Sequence, residues 1–299
     1  MKVGLKKRII NLLKNIKFLS EQPLYQEFDS RMYETLLHAE DMYKYERWGE
    51  QEDINTLDIL NYSDTLDLLT NSPASFCRLG DGEINLIQGK SIPFQEYDEK
   101  LADILFDILH NNHDGLYVGI NYNLFHPTNN LNEFNRRFYL VEGKKYRDFL
   151  LTTCCRDRTY IAAAFNQLYI VMEDYDFDTH FKKIEKMFAD KDVVLFAGKG
   201  IVQSLEYNIF DVARTCEYVE GPTRNAFSDF DAILNTAREY PKSKTICFIL
   251  GPASKALVFE LAKEGYMAWD VGHLAKDYDA YRRNVKKTPT EITKFFKPD

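Results

Sequence analysis

Ala74-Ser75-Phe76-Cys77-Arg78-Leu79-Gly80-Asp81-Gly82-Glu83 joins a short apolar run to a glycine turn that carries two carboxylates. A buried strand that opens into such a turn is the start of a βα unit, so this stretch decides the fold. Glycines at 80 and 82 let the backbone turn and let a bulky anion approach. Asp81 and Glu83 supply hard oxygen ligands at a strand end, and Arg78 supplies a fixed cation for phosphate. The arrangement suits a nucleotide-diphosphate substrate and a divalent cation. Gly-Asp-Gly is also a common turn in which the acids face water.

Working outward, the same alternation continues. Lys100 to Leu109 reads as a helix and Gly115 to Ile120 as a strand. Val193-Val194-Leu195-Phe196-Ala197 reads as a buried strand opening into Gly198-Lys199-Gly200 and a helix. Thr245 to Leu250 opens likewise into Gly251-Pro252 and a helix from Lys255 to Lys263, and Met267 to Val271 closes the series. Strand, glycine turn, helix and strand in succession predict an α/β fold with a Rossmann-like, mostly parallel sheet flanked by helices. Ahead of it, residues 24–70 look helical and acidic, with Tyr33, Leu36, Leu37 and Met42 spaced like one buried face. The simplest partition is a helical N-terminal extension over 1–64 and a catalytic domain over 65–299.

With 299 residues, 45% of them apolar, and with 21 Phe and 19 Tyr, the chain can bury a large core. A formal charge of −8 argues against nucleic-acid binding, which needs a clustered basic surface. The five cysteines (Cys77, Cys154, Cys155, Cys216 and Cys247) are odd in number and form no Cys-x-x-Cys pair. They read as reduced thiols of a cytoplasmic protein with no zinc framework. Residues 1–19 carry six basic side chains and no acid, with Leu5, Ile9, Leu12, Leu13 and Ile16 at helical spacing. This basic amphipathic helix either packs its apolar stripe on the domain or makes peripheral contact with the inner face of the plasma membrane. A secretory signal is not expected, because charges interrupt the apolar run, and no stretch is long enough to span a bilayer.

In parallel sheets ligands gather at the carboxyl ends of strands, where helix N-termini present N–H groups to anions. Three turns are expected to converge there, at Gly80 to Glu83, at Gly198 to Gly200 with Lys199, and at Gly251 to Ser254. Each has a bland alternative, a solvated lysine or an ordinary helix start. Asp270-Val271-Gly272-His273 ends the last predicted strand, and a neutral His273 beside Asp81 and Glu83 would complete a shell for Mn²⁺ or Mg²⁺.

Read together, Phe76 to Glu83, Gly221-Pro222-Thr223-Arg224-Asn225-Ala226-Phe227, and Leu250-Gly251-Pro252 through Gly265-Tyr266 to Asp270-Val271-Gly272-His273 resemble the GT-D-fold glycosyltransferases. That family occurs in bacterial gene clusters for surface-protein and polysaccharide glycosylation. The resemblance covers roughly residues 65 to 285, in order and at plausible spacing. It implies a metal-dependent transferase that moves a hexose, glucose by default, from a UDP-sugar to a glycan or glycoprotein acceptor. Carried over by position, Asp81 and Glu83 become the metal and diphosphate carboxylates, with Arg78, His273 and Asn225 on the motif's arginine, histidine and asparagine. Arg158 falls on the arginine of an Arg-Pro-Tyr segment. The chain departs from the pattern at Gly251-Pro252-Ala253-Ser254-Lys255, where the family usually has Gly-Pro-Thr. A hydroxyl donor is removed there and a cation added. Ala275 also stands where the family tends to place an acid.

Transfer would then rest on charge stabilisation of the departing nucleotide diphosphate. An inverting route also needs a carboxylate to take the acceptor's proton. Asp270, Asp277 and Asp279 are the candidates, with Asp277 carried forward. Two rival readings use the same residues: a metal-dependent phosphohydrolase that turns over nucleotide sugar without an acceptor, and a non-catalytic sugar-nucleotide-binding partner of another transferase.

Overall fold

Among the residues described by the computed structural model, which are 56–126 and 130–297 with Ile10, Met32 and Leu36, seven strands form one sheet. The strands are β1 (Ser75–Arg78), β2 (Leu116–Ile120), β3 (Ile161–Ala162), β4 (Asp192–Gly198), β5 (Thr215–Gly221), β6 (Thr245–Ile249) and β7 (Met267–Asp270). Their order is β3-β2-β1-β7-β6-β4-β5, and every neighbouring pair is parallel. The expected parallel α/β sheet is therefore present. Burial on both faces explains the unbroken apolar runs, since Phe76, Val193 to Phe196 and Ile246 to Phe248 are all buried. The edge strand β5 has no buried residue, which is why its sequence, Thr-Cys-Glu-Tyr-Val-Glu-Gly, carries no such signal.

The helices are α1 (Tyr62–Asn71), α2 (Asp81–Ile87), α3 (Glu99–His110), α4 (Glu133–Thr153), α5 (Leu168–Val171), α6 (Phe177–Phe188), α7 (Phe230–Arg238), α8 (Ala253–Lys263), α9 (Leu274–Arg282) and α10 (Pro289–Phe295). Successive residues of β7 point to opposite faces and show the two helical layers. Trp269 packs on Phe188 of α6, with ring centroids 5.5 Å apart, while Asp270 meets Lys255 of α8. Helix α8 also packs on β1, α3 and α7, and α6 packs on α1.

Two expectations need correction. Gly198-Lys199-Gly200 leads into a turn and the short 3-10 segment Val202–Ser204, not into a full helix. The boundary between residues 64 and 65 falls inside α1, whose Leu66 and Leu69 are buried in the shared core with Leu57 and Ile59 ahead of them. The folded unit thus begins before residue 65. The basic segment 1–19 and most of residues 24–55 lie outside the described residues. Leu36, expected on a buried face, is 61% exposed.

The chain runs outward from β1 to β2 and β3, and reaches β7 from the opposite side through β6. Neighbouring strands whose connections diverge in this way leave a crevice at their carboxyl ends. β1 and β7 share a single register pair, Phe76↔Trp269. Past it the Arg78 N–H donates to the Asp270 side chain, at 3.2 Å from Oδ2, instead of to a ladder carbonyl. Side chains thus take over where the ladder between β1 and β7 stops.

Candidate active site

The carboxyl ends of β1, β6 and β7, with the turn after β2, open onto a cavity of about 470 Å³. Its charged floor contains Arg78, Asp81, Glu83 and Lys255, with His273 and Lys276 to one side. Ile92, Pro93, Phe94, Phe134, Phe138 and Phe296 form apolar walls, and Asn121, Tyr139 and Gln167 form a polar one.

Arg78 is buried and firmly held. Its Nε donates to the Asp270 carbonyl at 3.0 Å, Nη1 donates to Ala163 O at 3.2 Å and Asn166 Oδ1 at 2.6 Å, and Nη2 pairs with Asp270 Oδ1 at 3.2 Å. The guanidinium passes so close to Gly272 that a β-carbon there would run into Nη2, and Gly272 itself has φ +44°. Only glycine meets both demands. Lys255 lies in the first turn of α8 with its ammonium 3.1 Å from Glu83 Oε1, 3.2 Å from Asp270 Oδ2 and 3.2 Å from the Gly251 carbonyl. Burial works against its charge, but Asp270 and Glu83 outweigh that and raise its pKa. Glu83 is buried, and its second oxygen accepts the Gly80 N–H at 2.8 Å, closing the first turn of α2. Asp81 differs from both acids because it is exposed to the cavity. Burial by the surrounding walls, then the neighbouring Glu83, raises its pKa from the ordinary aspartate value.

The structure brings Arg78, Gly80, Asp81, Gly82, Glu83, Gly251 and His273 to the cavity and puts the four other residues expected to bind substrate elsewhere. Arg158 sits at the amino end of the sheet, donating to the carbonyls of Ile108, Asn111 and Leu116. Lys199 points to solvent, 79% exposed, 3.4 Å from Glu220. Ser254 is buried, and its hydroxyl accepts the Leu250 N–H at 2.9 Å, which fixes the turn rather than facing a ligand. Asn225 acts one layer out from the cavity. In the left-handed region at φ 51°, it donates its N–H to Phe94 O and accepts the Glu96 N–H on Oδ1, at 2.9 and 2.7 Å. It thereby holds the loop that carries Phe94 over the cavity.

The expected base candidates are all engaged. Asp270 is buried between Arg78 and Lys255. Asp277 is buried off the cavity and accepts the Tyr169 and Ile170 N–H groups at 2.9 Å each, with burial pushing its pKa up to about 7. Asp279 accepts the Glu206 and Tyr207 N–H groups at 3.0 Å each. Asp277 is therefore corrected from catalytic base to a support for the start of α5.

The expected Mn²⁺ or Mg²⁺ shell does not fit a resident ion in this arrangement. Glu83 has one oxygen on Gly80 and the other on Lys255. The ring of His273 is surrounded by Phe94, Phe295 and Phe296 at centroid distances of 6.2, 5.2 and 5.8 Å. Its pKa is pushed down to about 3 by burial, then by Arg78, Lys276 and Lys255, so the ring is neutral, and its aromatic enclosure rather than its protonation sets it apart from the carboxylates. Among the described residues no group of three or more His, Cys, Asp or Glu side chains is gathered so as to hold a metal ion.

Sequence reasoning noted the added cation at Lys255 without giving it a role, and missed Asn166 and Phe94. The signal for Lys255 was a single charge preceding the apolar run Ala256-Leu257-Val258-Phe259, where an unpaired lysine would be costly to bury.

The family described as glycosyltransferase GT-D fold matches residues 76–294. A probable glycosyl transferase Gly of Streptococcus gordonii is 30% identical over 229 residues, covering 76% of this chain and 33% of that protein. Glycosyltransferase GlyD of Streptococcus pneumoniae serotype 4 is 27% identical over 238 residues, covering 79% of this chain and 29% of that protein. The chain thus spans about a third of the length of these curated relatives. A solved structure of the domain of unknown function 1792, described as a distinct glycosyltransferase fold, superimposes with a TM-score of 0.73 at 29% identity, covering 83% of this chain and 86% of that one. A glycosyltransferase of the same domain type from Streptococcus sanguinis gives 0.71 at 29% identity, covering 77% and 86%.

Proposed function

Because the chain belongs to the GT-D-fold glycosyltransferase family, we propose that it transfers a hexose from a nucleotide-diphosphate sugar, UDP-linked and with glucose first among donors, to a hydroxyl of a glycan or glycoprotein acceptor. The observation that carries this reading is two fixed cations at the cavity floor, Arg78 and Lys255, each held by buried carboxylates, beside one carboxylate, Asp81, that opens onto the same cavity. In the reaction the bond between the anomeric carbon and the phosphate oxygen breaks, and its electron pair stays on the departing diphosphate. The acceptor oxygen bonds to the anomeric carbon and gives its proton to Asp81. The raised pKa of that carboxyl suits it to the task, because a base titrating closer to the working pH takes a proton more readily. Fixed positive charge in a walled cavity stabilises the leaving diphosphate without reorganisation. Phe94 and Phe296 offer apolar faces for the nucleobase or sugar.

No helix among the described residues is long and apolar enough to cross a membrane. Free thiols at all five cysteines, three of them buried, support a cytoplasmic setting where nucleotide sugars are made. The deciding experiment measures UDP release from a panel of UDP-sugars with and without candidate glycan acceptors. Release that rises with acceptor is expected. Release indifferent to acceptor would convert the reading to a phosphohydrolase, and UDP binding without any release would make the protein a binding partner of another transferase.

A further inference from the structure

The ammonium of Lys255 stands between two carboxylates at the point where β1, β7 and α8 meet. Glu83 Oε1 and Asp270 Oδ2 lie 3.1 and 3.2 Å from Nζ, with the Gly251 carbonyl as third acceptor at 3.2 Å. A lysine has three N–H donors, so this set uses all of them. The other oxygens of the two acids are also occupied, on Glu83 by the Gly80 N–H and on Asp270 by the Arg78 guanidinium. A divalent ion bridging Glu83 and Asp270 would have to displace the ammonium, and one placed beside it would meet an uncompensated like charge in a buried setting. The floor is nonetheless electrically complete, since Arg78 and Lys255 balance Glu83 and Asp270.

We propose that Lys255 is the built-in cation of the diphosphate site, filling at Glu83 and Asp270 the place of a resident divalent metal, so that a nucleoside diphosphate is held and released without a required metal ion. This rests on the transferase reading above and deepens it. The electron pair left on the diphosphate when the anomeric bond breaks is stabilised by protein cations, and the acceptor proton goes to Asp81 as before. Lys255 lines the cavity, so its charge is within reach of a bound phosphate. Two carboxylates and a carbonyl at 3.1 to 3.2 Å hold the ammonium in that position. The glycine turn ahead of it has φ +57° at Gly251 and brings the backbone to the same point.

The test is calorimetric titration of the full chain with UDP, in chelator and then with Mn²⁺, for the native protein and for Lys255→Met. Native affinity is expected to change by less than about threefold between the two conditions, about half a decade. Lys255→Met is expected to lose on the order of 30-fold or more in chelator, the scale of an unpaired buried charge. Mn²⁺ should restore most of that loss, because Glu83 and Asp270 are then free to bind it. Native binding that disappears in chelator and returns with Mn²⁺ would overturn the role of Lys255 while leaving the transferase reading intact. Absence of UDP binding in both conditions would overturn the UDP-sugar reading and this inference with it. Circular dichroism decides whether Lys255→Met is folded, and if it is not, the native comparison between chelator and Mn²⁺ is decisive by itself.

Discussion

The two ends of the parallel sheet are each tied by an arginine, and they differ in what that arginine meets. At the carboxyl ends, Arg78 is locked against Asp270, shares that acid with Lys255, and faces a cavity with an open carboxylate. At the amino ends, Arg158 reaches three backbone carbonyls, with its guanidinium 5.2 Å from the Tyr160 ring centroid. One end concentrates opposed charges around a space, whereas the other uses a charge to tie off the end of α3 and the start of β2. Residue type does not separate the two roles. The separation comes from the charged partner and from the direction in which parallel strands run, because both helix N-termini and glycine turns gather at the carboxyl ends.

The largest effect is expected from Asp81→Asn at the carboxyl end. Acceptor-dependent turnover should fall by about 10²- to 10⁴-fold, the range for loss of a general base. Unfolding free energy should stay within about 0.5 kcal/mol, since the side chain is exposed. Equal losses of stability and activity in denaturant titration and kinetics would erase the proposed contrast between the ends. Gly272→Ala comes next. A β-carbon there pushes the Arg78 guanidinium off Asp270, and breaking a buried pair costs about 3–5 kcal/mol, measurable as a lower urea midpoint together with lost turnover.

Arg158→Met should sharpen the comparison from the other side. Stranding the carbonyls that Arg158 satisfies should cost about 1–3 kcal/mol, while turnover per folded molecule is unchanged. A fall in kcat at full folding would return Arg158 to the site. The last effect, on stability alone, concerns His180, which belongs to neither end. Its Nε2 lies 2.8 Å from Phe165 O, and burial pushes its pKa down from 6.5 to about 4. Between those values the unfolded chain binds a proton that the folded one refuses. The stabilising contribution is therefore complete above pH 6.5 and is lost as the pH falls toward 4. Denaturation measured across that window should show the decline, and His180→Gln should flatten it.

Much of the architecture was legible because buried parallel strands write themselves as apolar runs. Phe76-Cys77, Val193 to Ala197, Thr245 to Ile249 and Met267 to Asp270 were all readable in this way. β5 was hidden by its exposed edge position and β3 by its length of two residues. The long helix α4 escaped because its sequence is polar on average and buries residues along only one side. At the site, Asp81, Glu83, Arg78 and His273 were found from glycine turns at strand ends. Arg158 and Asp277 were misjudged because backbone partners distant in sequence claim them, Ser254 because the Leu250 N–H of its own turn does, and Lys199 because solvent does.

By itself the sequence determined the βα alternation, the glycine turns and the supply of charged residues at strand ends. These follow from local rules, since hydrophobic period and turn chemistry act over a few residues. The tertiary structure alone decided which charges meet. Lys255, Glu83 and Asp270 are far apart in the chain, and only the insertion of β7 beside β1, under the first turn of α8, puts them within 3.2 Å of one another's partner atoms. Electrostatic pairing depends on distance in space and on exclusion of water, and neither is written in the order of residues.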